Sequence, residues 1–184
     1  MPKTPMVAFE PSEIYLLGLS NSPVKRIMFI ENIHTALSKA KAHFYQTDED
    51  VVTLVQQFEA CTLPRTEWNH PAHLIIALWY LSQFSLTEAT VCIRTGIQRY
   101  NRWNGIETTK NSGYHETLTF FWVAIARRFL AAAGPNTSIS TLANDFILLY
   151  GDRKSLFREY YSNELVMSWE ARQSWVAPDL KPLD

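Results

Sequence analysis

The stretch that decides the fold is NHPAHLIIALWYL, residues 69–81, an almost unbroken apolar run that begins at two histidines. A second stretch of the same kind, GYHETLTFFWVAIA, spans residues 113–126. Both place apolar side chains on nearly every face of a helix, which is typical of helices buried at the centre of a domain. Because buried polar groups need a partner, the histidines and the glutamate that begin these runs indicate a functional site.

The remaining sequence shows apolar residues three and four positions apart and contains only 6 glycines, a pattern that favours helices almost throughout. We therefore predict an all-α, single-domain bundle of about six to eight helices with an extended C-terminal tail. Residues 1–27 are predicted to be a loosely ordered extension, and the domain to span 28–184. The predicted helices cover residues 30–45, 49–61, 70–84, 86–103, 112–133, 139–149, 156–160 and 168–174.

The composition excludes several classes of protein. A net charge of -1 and a pI near 6.5 provide no basic surface for nucleic acid or for an anionic membrane. No window approaches the roughly 20 apolar residues of a transmembrane helix, and the N-terminal residues lack the pattern of a signal peptide. We therefore expect a soluble, cytoplasmic protein. The 2 cysteines are too few for a disulfide framework and are predicted to be free thiols.

Topology connects the two apolar stretches. Short connections make consecutive helices antiparallel, so the helices at 70–84 and 112–133 should run parallel and begin at the same end of the bundle. The loops at 62–68 and 104–111 should cover that end and give it aromatic walls. The side chains predicted to converge there are Glu59, Trp68, His70, His73, Trp103, Tyr114, His115 and Glu116.

The spacing of His70 and His73 predicts a shared metal ligand set. Residues three apart on a helix lie about 60° apart around its axis, so both imidazoles can reach one ion. Pro71 complicates this geometry, because it disfavours a helical conformation in His70 and makes it the N-cap or a loop residue. With His115 as the third ligand, the set would suit Zn or Fe and leave a position for water. The alternative is that His70 caps its helix and His73 hydrogen-bonds within the core.

A metal-dependent enzyme acting on a small organic molecule is the function these residues favour. Glu116 or Glu59 would be a fourth ligand or general base, and Tyr114 would hydrogen-bond the bound water or substrate. Hydrolysis is favoured over oxygen chemistry, because the sequence supplies acid–base groups but nothing that identifies a redox metal. The alternative for Glu116 is an acid that complements the dipole at a helix start.

Two other classes of function remain open. In the first, the protein is a metal-free small-molecule-binding protein whose pocket is lined by the same histidines and by tryptophans such as Trp68 and Trp122. In the second, it is a helical dimerisation or partner-binding domain that uses exposed aromatic side chains of the 86–103 helix or the tail. A homodimer would be the simplest form of this last class.

The C-terminal segment SWEAR, residues 168–172, resembles a short capped helix that ends in a guanidinium. Its structural interpretation is that the tail is clamped onto the bundle. Its functional interpretation is that Arg172 reaches the mouth of the site and binds a ligand carboxylate or phosphate, together with Trp68 and Trp103 as binding residues.

Three separated motifs resemble a family of small bacterial proteins of unknown function. They are an aromatic-x-His-x-x-His-Leu segment at 68–74, Tyr-His-Glu-Thr at 114–117, and Ala-Arg…Trp-Val-x-Pro-Asp-x-x-Pro-Leu at 171–183. The resemblance covers roughly residues 51–183. It implies no activity. The residues that it places at motif positions are His70, His73, Tyr114, His115, Glu116, Thr117, Ser168, Arg172, Pro178 and Asp179. The chain departs from the pattern at Asn69 and Pro71, where relatives more often carry threonine and a residue other than proline.

Overall fold

Helices account for all regular structure in residues 45–133 and 136–183, the part of the chain that this computed structural model describes. This confirms the predicted all-α bundle of six to eight helices. The predicted division at residue 28 and nearly all of the helix predicted at 30–45 lie outside the described residues. The elements in chain order are α1 (Asp48–Glu59), α2 (His70–Gln83), α3 (Leu86–Trp103), α4 (Glu116–Ala132), α5 (Ile139–Tyr150), a 3₁₀ helix (Leu156–Glu159), α6 (Asn163–Val166) and α7 (Trp169–Gln173).

Helix α2 lies at the centre of the bundle. It packs against α1, α3, α4 and α5, and its buried side chains extend from Ala72 to Tyr80, with Leu74 and Leu78 fully buried. This explains why its sequence is apolar on every face. Among the described residues, no helix combines the length and apolarity that a membrane span requires.

The polar sequence at the helix starts sets their positions. Thr47 and Ser85 each form a capping box, with Asp50 and Glu88 respectively, at the starts of α1 and α3. Gly105 follows α3 with a φ of 65°, which lets the Ile106 N–H reach the Asn101 carbonyl at 2.8 Å. The loop that begins there returns the chain towards the start of α4.

One prediction about α3 is wrong. The alternation of Val91, Ile97 and Tyr100 with charged and polar residues in this helix predicts that Val91 lies on the buried side, yet its side chain is 51 % exposed. The residues of α3 that are buried follow a spacing of three and four from Ala89 through Ile93 and Ile97 to Tyr100. Val91 lies off that stripe, which explains why its apolar side chain is exposed.

The C-terminal tail runs without regular structure from residue 174 to 183 along the bundle. Thr117 holds it there, since its hydroxyl donates to the Ser174 carbonyl at 3.0 Å and accepts from the Val176 N–H at 3.1 Å. Thr117 is fully buried at the first turn of α4. The predicted extended tail is therefore confirmed, and it is anchored to the helix that carries the second apolar stretch.

Candidate functional site

The N-terminal turns of α2 and α4 lie at a common cavity of about 420 Å³. Residues of α3, of the loop between α3 and α4, and Lys154 complete its wall. Three of the predicted convergent groups, His70, His73 and His115, line this one cavity, as do Trp68 and Tyr114. The parallel arrangement inferred from loop length thus brings together side chains that are about forty-five positions apart in sequence.

The imidazole of His73 packs against the Trp68 ring, with the two ring planes tilted by 31°. The two ring centroids are 3.8 Å apart, and Trp68 in turn packs on Phe58 and Tyr100 at 5.0 and 4.7 Å. The Nδ1 atom of His73 lies 2.8 Å from the Asn69 carbonyl oxygen. Because a carbonyl can only accept, Nδ1 carries the proton and Nε2 keeps a lone pair. Burial lowers the pKa of His73 to about 4, so the ring is neutral at pH 7.

His70 forms a second pair, edge-on to Trp122 with the ring centroids 4.6 Å apart. Its Nε2 atom donates to the Tyr150 carbonyl oxygen at 3.2 Å, so Nδ1 keeps the lone pair. The predicted N-cap role is wrong, because Asn69 caps α2 by accepting from the Ala72 N–H and His70 is the first helical residue. Burial, and to a lesser degree the ammonium of Lys154, lower the pKa of His70.

His115 is the N-cap of α4. Its Nδ1 atom accepts from the Leu118 N–H at 3.3 Å, and its Nε2–H donates to the Val166 carbonyl oxygen at 2.8 Å. Both ring nitrogens are therefore committed to backbone groups, and neither has a lone pair left for a metal ion. Burial also lowers the pKa of this imidazole, which agrees with a neutral ring that accepts at one nitrogen and donates at the other.

The predicted ligand set of three imidazoles therefore needs correction. His115 has no free lone pair, and the described residues contain no group of three or more His, Cys, Asp or Glu side chains that could hold a metal ion. His70 and His73 each retain one lone pair and line the same cavity. These two imidazoles remain available to accept a hydrogen bond from a bound molecule.

Glu116 does not line the cavity, contrary to its predicted role as ligand or base. Its carboxylate is buried and accepts from the Arg94 guanidinium at 2.7 Å and from the Tyr114 hydroxyl at 2.6 Å. Burial, together with the neighbouring Glu116 carboxylate, raises the pKa of Tyr114, so its phenol keeps its proton and donates it to Glu116. Glu116 thus positions the Tyr114 ring, and Tyr114 lines the cavity in its place.

Three further predicted site residues lie elsewhere. Glu59 accepts from the Tyr80 hydroxyl at 2.7 Å on the outside of the bundle, and Trp103 is 76 % exposed at the end of α3. Neither lines the cavity. Arg172 is buried and donates through Nη1 to the carbonyl oxygens of Ser112, at 3.1 Å, and Tyr114, at 3.1 Å. Its guanidinium secures the loop before α4, which corrects the predicted role in ligand binding.

Sequence reasoning missed Asn101 and Lys154. Asn101 is only 6 % exposed, and its Oδ1 atom is buried with no hydrogen-bond partner among the described residues. It lines both this cavity and a neighbouring one of about 450 Å³. The signal that could have identified it is the presence of an asparagine on the apolar stripe of α3, one position after the buried Tyr100. Lys154 lies in a loop and had no comparable signal.

The depressed pKa values predict how stability depends on pH. In the unfolded chain a histidine titrates near pH 6.5, whereas in the fold His73 titrates near pH 4. Below pH 6.5 the unfolded state therefore binds more protons, and stability is lost as the pH falls from 6.5 towards 4. Each such imidazole should contribute a slope of at most about 1.4 kcal/mol per pH unit, and none above pH 7.5.

Urea denaturation at pH 7.5, 6.5, 5.5 and 4.5 measures this dependence. The free energy of unfolding should be constant at the upper end and fall through the lower pH values. His73→Gln should show a shallower fall than the wild type, because one of the contributing groups is gone. A flat profile between pH 7.5 and 5 would contradict the assignment of imidazoles that the fold keeps neutral.

Comparisons with protein-family models, with curated proteins and with solved structures found no match to this chain.

Proposed function

We propose that this protein binds a small organic molecule in the cavity between the N-terminal turns of α2 and α4. The observation that carries the proposal is that two neutral imidazoles, each packed on a tryptophan, line one cavity of about 420 Å³. Ligand pockets of roughly 300 to 1,000 Å³ with apolar, aromatic walls and a few placed polar groups are the usual form of small-molecule sites. The aromatic walls favour a flat, largely apolar ligand.

The polar groups of the cavity suit recognition better than catalysis. His70 Nδ1 and His73 Nε2 offer lone pairs that can accept from an N–H or O–H of the ligand. With a pKa of about 4, His73 is a weak base at neutral pH, and the candidate carboxylates Glu59 and Glu116 lie outside the cavity. A binding protein is therefore favoured over the hydrolase that the sequence alone suggests. A cytoplasmic location stays a prediction.

Removal of one aromatic wall tests the proposal. Trp122→Leu should weaken binding of the neutral probe 2-naphthamide about tenfold, because ring stacking and apolar contact are lost. Trp79→Leu is the matched control: Trp79 is also half-buried but does not line the cavity. Titration calorimetry gives both affinities, and circular dichroism checks that both variants fold.

Equal weakening by the two substitutions would place the probe elsewhere, and no binding of 2-naphthamide to the wild type at millimolar concentration would argue against this kind of pocket.

Partner binding is kept as a second candidate because of one observation. Trp103 is 76 % exposed at the end of α3, which is unusual for so large an apolar side chain. Light scattering after gel filtration tests the homodimer. A monomer over the accessible concentration range would remove self-association from consideration.

A further inference from the structure

The charged groups around the cavity are of one sign, positive. Lys154 is the one charged side chain among the described residues that line it, and no aspartate or glutamate does so. Within the described residues no carboxylate forms an ion pair with the Lys154 ammonium. The buried carboxylate of Glu116 is already paired with the Arg94 guanidinium at 2.7 Å. The lysine charge is therefore available to a bound molecule.

The two long helices add to this positive potential. α2 and α4, of 14 and 17 residues, both begin at the cavity, and a helix carries about half a positive charge at its N-terminus. Asn69 accepts from the Ala72 N–H and His115 from the Leu118 N–H, so each cap satisfies one donor of its first turn and the helix end keeps its positive potential. Since the imidazoles are neutral, Lys154 and the two helix ends are the sources of charge among the described residues at this cavity.

Asn101 is an independent sign that the cavity is completed by a ligand. A buried amide oxygen without a partner is destabilising, and such groups are rare in folded proteins. Asn101 is only 6 % exposed, and its Oδ1 atom has no partner among the described residues. It lies on the wall that this cavity shares with the second one. Rotation of its amide presents either a donor or an acceptor to a polar substituent.

We infer that the natural ligand is a planar aromatic or heteroaromatic molecule that carries one anionic group, in the simplest case a carboxylate. Its ring lies against Trp68 and Trp122, and its anionic group lies beside the Lys154 ammonium. A cationic ligand of the same shape is disfavoured, because the cavity has no acidic side chain to pair with it. This inference rests on the proposed binding function and specifies its ligand class.

Three probes of one shape and different charge test the inference: 2-naphthoate, 2-naphthamide and 2-naphthylmethylammonium. In low-salt buffer at pH 7.5, 2-naphthoate should bind about tenfold more tightly than 2-naphthamide, since a charged hydrogen bond adds to the shared ring contacts. The ammonium probe should bind most weakly. In Lys154→Gln, the affinity for 2-naphthoate should fall most of the way to that for 2-naphthamide, which itself stays unchanged; the small preference that is left comes from the two helix N-termini.

Lys181→Gln is the control for a general loss of surface charge, because Lys181 lies over the Tyr160 ring and not at the cavity. It should leave all three affinities unchanged. Equal binding of the carboxylate and the amide, or a preference that Lys154→Gln leaves at its wild-type size, overturns the inference. The proposed function stands in either of those cases if Trp122→Leu weakens both probes. Failure of all three probes to bind overturns both.

Discussion

Gly113→Ala is expected to lower the free energy of unfolding by about 3 kcal/mol, because it combines backbone strain with a steric clash. Gly113 has a φ of 80°, a conformation that L side chains rarely adopt. A Cβ atom at this position would lie 2.4 Å from the Glu107 carbonyl oxygen and 2.7 Å from the Thr108 Cα atom. Both neighbours are backbone atoms, so the loop itself must move.

Gly105→Ala separates the two causes. Gly105 also has a positive φ, 65°, but a Cβ atom there would meet nothing within 4 Å. It should cost about 1 kcal/mol, the strain alone. Urea denaturation of the two variants measures the difference. Equal costs would mean that the close approach of the 107–108 backbone to Gly113 is not a property of the fold in solution.

Arg172→Met should cost about 3 to 4 kcal/mol. Arg172 is 5 % exposed, and its Nη1 atom donates to the carbonyl oxygens of Ser112, Gly113 and Tyr114 at 3.1, 3.4 and 3.1 Å. Methionine keeps most of the apolar stem but leaves these buried oxygens without their charged donor. The loop that forms one wall of the cavity should loosen, so 2-naphthamide should also bind more weakly.

Arg127→Met, at an exposed position of α4, is the matched control and should change stability by less than about 0.5 kcal/mol. Thermal and urea denaturation of the ligand-free proteins give both values. If Arg172→Met were as stable as the wild type and only lost ligand affinity, Arg172 would be a ligand-binding residue after all and the loop clasp would be refuted.

The fold was largely predictable because local signals agree with one another. The predicted bounds of α3, residues 86–103, match the structure, since Ser85 begins the helix with a capping box and Gly105 follows its end. The start of α4 was predicted four residues early. Gly113 at positive φ and His115 in an extended conformation keep residues 112–115 out of the helix. The four-residue helix α6 is too short to produce a periodic pattern.

The convergence of the histidines was predictable, but their chemistry was not. Antiparallel neighbours and short loops place the starts of α2 and α4 at one end, whatever their side chains do. The lone pairs of His115 depend on the Val166 carbonyl, 51 positions away, and those of His70 on Tyr150, 80 positions away. A sequence pattern of imidazoles and a carboxylate does not reveal such partners, which decide whether a nitrogen is free.

The same reasoning explains Glu116 and Arg172. Each sits at a motif position that the resemblance singles out, and each is buried by partners far along the chain: Arg94 for Glu116 and the 112–114 carbonyls for Arg172. Charged residues in a motif can thus maintain the shape of a site without touching its ligand. The family resemblance itself stays a prediction.

Fluorine NMR of protein labelled with 5-fluorotryptophan tests the central claim most directly, because the chain has 6 tryptophans and each gives its own resonance. Single Trp→Phe variants assign the signals. Titration with 2-naphthoate should shift the resonances of Trp68 and Trp122, which line the cavity, and leave those of the exposed Trp103, Trp169 and Trp175 in place. Shifts confined to the exposed tryptophans, with Trp68 and Trp122 unmoved, would contradict a binding site between α2 and α4.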